Sequence, residues 1–131
     1  MLAMGDFNDE PFDTSLVLHA LSTRQRAKVT SAREAPLLWN LMWPIAGAPD
    51  GSFYFDNQTN MLDQFLANKN MAVGNAPIKV DPATVQIFKP PSMVNPGVYP
   101  KPIPFGGMGK PVNQNEFSDH FPITMTVTET D

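Results

Sequence analysis

The sequence opens on an apolar run, Met1-Leu2-Ala3-Met4, that passes directly into Gly5-Asp6-Phe7-Asn8-Asp9-Glu10-Pro11. The run has no polar alternation and predicts a buried strand. Gly5 predicts a sharp turn where that strand ends. Asp6 and Asn8 then stand at the carboxyl end of a strand, where α/β sheets place their ligands. A carboxylate and an amide two residues apart present an acceptor and donors to one phosphate-sized group. The same residues also suit an ordinary Asp/Asn turn closed by Pro11.

A chain of 131 residues makes one domain at most. Hydrophobic residues are 42% of it, enough for a core. The formal net charge of −4 argues against broad electrostatic binding of nucleic acid, although a local basic groove remains possible. Cysteine is absent, which excludes disulfides, thiolate nucleophiles and zinc–thiolate centres. No apolar run approaches membrane-spanning length.

Beyond Pro11, Asp13 predicts a helix cap, with Phe12 stapled against Val17. Leu16, Val17, Ala20 and Leu21 form an apolar stripe at helical spacing. His19 on that helix reads as a surface residue. Arg24, Arg26, Lys28 and Arg33 read as a solvated face. In the segment from Pro36 to Pro44, Trp39 and Trp43 are four apart, and a helical turn would put them on one face. Gly51 to Phe55 predicts an aromatic strand, Asp56 to Asn60 a turn, and Met61 to Leu66 the returning strand.

Asp63 is the informative residue of that returning strand. A carboxylate among Met61, Leu62, Phe65 and Leu66 is unfavourable without a charged or hydrogen-bonding partner, and a histidine is the natural one. Ile78–Val80 predicts a short strand, and Asp81 to Phe88 holds another short element. From Lys89 to Lys110, six prolines and four glycines predict a long surface loop without regular structure, either a lid or binding edge or a disordered segment. Ile123 to Thr128 alternates apolar and polar residues and predicts a half-buried strand. His120, just before it, is the obvious partner for Asp63. An Asp–His pair fixes the imidazole tautomer and stabilises its protonated form, as general acid–base chemistry requires.

Three motifs stand in order: Gly5-Asp6-Phe7-Asn8-x-x-Pro11, Leu62-Asp63-Gln64-Phe65-Leu66 and Ser118-Asp119-His120-Phe121-Pro122. Together they resemble the C-terminal half of the endonuclease/exonuclease/phosphatase superfamily, from Met1 to about Val127. The resemblance implies an α/β (α+β) fold, the C-terminal half of a four-layer α/β sandwich of the deoxyribonuclease I type. It makes residues 1–131 a single partial domain, with the Pro/Gly-rich loop at about 89–113 as an insertion. It implies phosphoester hydrolysis with Mg2+ (or Mn2+). Asp6, Asn8, Asp63 and His120 would be catalytic, with Asn8 and His120 contacting the substrate phosphate. Asp63 would orient His120, and Asp119 and Asp6 would lie at the metal.

The substrate implied is a phosphoester: a nucleic acid, a phospholipid or a small phosphorylated molecule. The family's N-terminal half, with its early asparagine and its glutamate metal ligand, has no counterpart here. The sequence therefore predicts a fragment with a half-built site, weak metal affinity, little activity by itself and self-association through exposed sheet surface. The competing reading is a non-catalytic binding or scaffold module that keeps the fold.

Overall fold

The computed structural model describes residues 1–33, 36–73, 77–106 and 109–129. Its centre is a four-stranded sheet of β1 (Leu2–Asp6), β2 (Ser22–Thr23), β3 (Leu38–Asn40) and β6 (Asp63–Ala67), in the order β1-β6-β3-β2. β6 runs antiparallel to both neighbours, with Leu2 opposite Ala67 and Asp6 opposite Asp63. β2 and β3 are parallel. Two short helices, α1 (Arg26–Ser31) and α2 (Lys69–Val73), pack together beside this sheet. Leu41, Met42, Met61, Phe65, Ala67, Met71 and Val80 form the core cluster. The architecture is mixed α/β, with several small sheets and few helices.

Four two-stranded ladders surround the centre. β4 (Phe53–Phe55) pairs β5 (Gln58–Asn60); β7 (Ile78–Val80) pairs β12 (Val127–Glu129). β8 (Gln86–Ile87) pairs β11 (Ile123–Thr124), and β9 (Val94–Asn95) pairs β10 (Lys101–Pro102). Gly51 lies at the open end of the β4–β5 hairpin, against Asn60. A Cβ there would stand 2.5 Å from the Asn60 carbonyl oxygen, so only glycine permits the approach.

Several local expectations are corrected. β1 forms, but among the described residues it is an edge strand with a partner on one side only, so Met4 is 68% exposed instead of buried. Gly5 (φ 135°) lies within the strand, and the turn follows at Phe7 and Asn8. The first helix is a five-residue π-helical turn, Ser15–His19. Asp13 does not cap it; its carboxylate accepts from the Glu10 amide instead. Phe12 packs edge-on against Trp43 at 6.3 Å. Trp39 lies in β3, a strand and not a helix, because the segment pairs with β6.

The aromatic strand returns through Gln58–Asn60, earlier than expected. Asp56 and Asn57 both adopt left-handed backbone (φ 45° and 62°), which makes the tight two-residue turn that matches strand twist. Asp63–Ala67 is thereby released to the central sheet. The proline-rich stretch also holds regular structure, a 3-10 turn at Pro91–Met93 and the β9–β10 ladder. Its prolines stop long strands but leave two-residue pairings open. The last predicted strand is split in two, bonding β8 and then β7.

Candidate active site

The pairing of β1 with β6 puts Asp6 directly opposite Asp63. Like charges in that position repel, and a hydrogen-bond donor beside them offsets this. One is present. His120 Nδ1 lies 2.7 Å from Asp63 Oδ2. A carboxylate only accepts, so the ring nitrogen carries the proton and donates it. The two side chains are 14% and 19% exposed, enough burial to strengthen the bond while leaving the ring accessible. Oxygen and nitrogen atoms of Asp6, Asp63 and His120 all fall within 4.8 Å of one another. The His120 pKa is raised above its ordinary value of 6.5. The Asp63 hydrogen bond is the main cause; the charges of Asp63, Asp6 and Asp119 add to it, and burial opposes it.

The backbone around this pair is tied together by Ser52, which is fully buried. Its hydroxyl oxygen accepts from the amides of Leu62 and Asp63, each at 3.2 Å. Its carbonyl accepts from the Phe121 amide at 2.7 Å. One residue thus fixes the chain on both sides of the dyad. The Phe53 ring lies against the His120 imidazole, with centroids 4.7 Å apart.

The Asp6–Pro11 loop is held as firmly. Asp6 Oδ1 accepts from the Asn8 amide at 2.7 Å, an Asx turn with Asn8 at φ 56°. The Asn8 side-chain amide is left without a partner among the described residues. The Glu10 carboxylate accepts from the Asn60 side chain and the Met61 amide. Gln64 is fully buried; its amide donates to the carbonyls of Asp9 and Met61, and its oxygen accepts from Asn40.

Asp6, Asp63 and His120 therefore come together, with Asn8 in the adjoining turn. Asp119 is exposed and lines a cleft beside the site, close enough for its charge to act on His120. His19 is exposed on its helical turn. Sequence reasoning gave no role to Ser52, Glu10 or Gln64. Gln64 did carry a signal, a polar residue inside an apolar strand. Ser52 carried none.

The donor chemistry suits a hard cation. A histidine that carries a proton toward Asp63 is a poor metal ligand through that nitrogen, whereas the Asp6 carboxylate supplies oxygen atoms of the kind that Mg2+ or Mn2+ prefers.

A protein-family model described as "Endonuclease/Exonuclease/phosphatase family" matches residues 1–129. No curated protein and no solved structure matches the chain.

Proposed function

Since the chain belongs to the endonuclease/exonuclease/phosphatase family, a phosphoesterase-type superfamily, we propose that it serves metal-dependent hydrolysis of a phosphodiester or phosphomonoester. The observation that carries this reading is the Asp63–His120 pair facing Asp6 across β1 and β6. Asp6 and Asp119 would hold a magnesium-type cation, since Asp63 is committed to His120. When bound, such a cation neutralises phosphoryl charge and lowers the pKa of a coordinated water.

The protein's own groups do the rest. The Asn8 side-chain amide, free in its turn, donates to a phosphate oxygen. His120 is held in one tautomer by Asp63, which leaves Nε2 to meet the phosphoryl group. With its pKa raised, the ring stays protonated nearer neutrality and can neutralise the developing charge on oxygen. Among the described residues no helix is long and apolar enough to cross a membrane.

The test is turnover by the intact gene product of methyl p-nitrophenyl phosphate, a diester, and p-nitrophenyl phosphate, a monoester, with and without magnesium. Magnesium-dependent turnover of one ester, lost in His120→Ala, is expected. Absence of turnover on both would leave a binding module.

A further inference from the structure

The Asp63 hydrogen bond fixes the His120 imidazole only in part. It lies in the ring plane and sets which nitrogen faces the carboxylate. It leaves the ring free to swing about the line from Nδ1 to Asp63 Oδ2. Such a swing carries Nε2, the nitrogen left for substrate, out of line. A contact across the face of the ring stops it, and Phe53 makes that contact. The two ring centroids are 4.7 Å apart and the planes are inclined by 33°. That separation is one at which aromatic rings stack with an offset. When the imidazole carries its second proton, the π face of Phe53 attracts it as well as confining it. Among the described residues no other aromatic ring stacks on His120.

Phe53 is itself firmly placed. It stands in β4 opposite Asn60 of β5, in the hairpin closed at Asp56 and Asn57. The residue before it, Ser52, is fully buried and accepts from the amides of Leu62, Asp63 and Phe121. The residue after it, Tyr54, meets Phe121 edge-on at 6.1 Å, and Phe121 is fully buried. Successive residues of β4 thus meet successive residues of the chain carrying the histidine. Phe53 backs His120, and Tyr54 locks Phe121 into the core. Side chains alternate across a strand, so the two contacts lie on opposite faces of β4. An aliphatic side chain of similar size would fill the space of Phe53 but would offer the imidazole no flat π face.

Resting on the phosphoesterase reading, we propose that Phe53 is a positioning residue for the reaction. It fixes the plane of the His120 imidazole, while Asp63 fixes the rotation of the ring within that plane. Neither constraint replaces the other, and both are needed to aim Nε2 at the phosphoryl group. Phe53 acts through its aromatic face and does not touch the substrate phosphate.

The experiment compares Phe53→Leu, which keeps an apolar side chain and loses the π face, with Phe53→Tyr, which keeps the ring. Circular dichroism and urea midpoints confirm the fold, and Phe53→Met stands in if the leucine variant misfolds. The first readout is nuclear magnetic resonance of the intact gene product with 15N-labelled histidine, in EDTA and without substrate. The chain has two histidines, and His120→Ala assigns their signals. A protected, far-downfield Nδ1–H signal from His120 is expected in the unaltered protein and in Phe53→Tyr. It should broaden into solvent exchange in Phe53→Leu, although Asp63 is intact. The second readout is magnesium-dependent turnover of the two p-nitrophenyl esters. Phe53→Leu should lower kcat about tenfold or more with KM little changed, as misorientation of a reacting group does, and Phe53→Tyr should restore most of it. An unchanged Nδ1–H signal in a folded Phe53→Leu overturns the proposal. So does a kcat that falls only as far as the folded fraction, or a loss in Phe53→Tyr equal to that in Phe53→Leu. Absence of turnover in the unaltered protein would defeat the phosphoesterase reading instead, and the Nδ1–H signal would still decide whether Phe53 holds the ring.

Discussion

His120 and Asp63 are 57 residues apart in sequence, and their side chains meet at 2.7 Å. The bond raises the folded-state pKa of His120 above the value of 6.5 that the unfolded chain would have. The sign follows from linkage. A group whose pKa is higher in the folded state binds its proton more tightly there. The resulting stability is fully present below pH 6.5 and is lost as pH rises through the folded pKa. Urea denaturation across pH 5.5 to 9 in EDTA should show this decline, and His120→Ala should flatten it.

Ser52 is expected to matter for activity without touching substrate. Ser52→Ala removes the acceptor of the Leu62 and Asp63 amides, and an unsatisfied buried amide costs about 1–3 kcal/mol. Denaturant midpoints should fall accordingly. Because Ser52 sets the backbone beneath both members of the dyad, turnover should fall by more than the change in folded fraction. Ser52→Thr, which keeps the hydroxyl, should retain more of both.

Gln64 joins three segments from within the core. Gln64→Leu has a similar volume but leaves the Asn40 amide and the Asp9 and Met61 carbonyls without that partner. A loss of about 2–4 kcal/mol in chemical denaturation is expected. Gln64→Glu should be worse, since it buries a charge and loses the donors.

The repulsion between Asp6 and Asp63 is relieved by a bound cation, so magnesium and stability are coupled. Thermal unfolding should shift upward with added MgCl2 in the unaltered protein. Asp6→Asn should weaken this response about tenfold in the magnesium concentration needed, while raising stability in EDTA. An upward shift of equal midpoint in Asp6→Asn would remove Asp6 from the cation site.

The sequence made the site more legible than the frame that holds it. Asp63 could be paired with His120 because a carboxylate in an apolar strand demands a partner, and the chain has only two histidines. The family could be read because Asp6, Asn8, Asp63 and His120 fall in short motifs in a fixed order. Strand partners were less legible. The apolar run Met1–Met4 reads the same in a central strand and in an edge strand, and only the pairing of β1 decides between them. The hairpin is tighter than the polar cluster Asp56 to Asn60 suggests, because Asp56 and Asn57 close it with positive φ and Gln58–Asn60 already form the returning strand. Ser52 acts through one hydroxyl and one backbone carbonyl, and a lone serine after a glycine carries no pattern that announces this. The proline-rich segment reads as irregular because proline frequency argues against long strands and is silent on two-residue ones.

The most direct measurement is a double-mutant cycle of magnesium-dependent turnover with Asp63→Asn, His120→Ala and the combination. If Asp63 acts through His120, each single variant loses on the order of 10²-fold or more, and the double variant is no slower than His120→Ala alone. Losses that multiply in the double variant would mean that the two residues act separately. Full activity in His120→Ala would contradict the role of the dyad altogether.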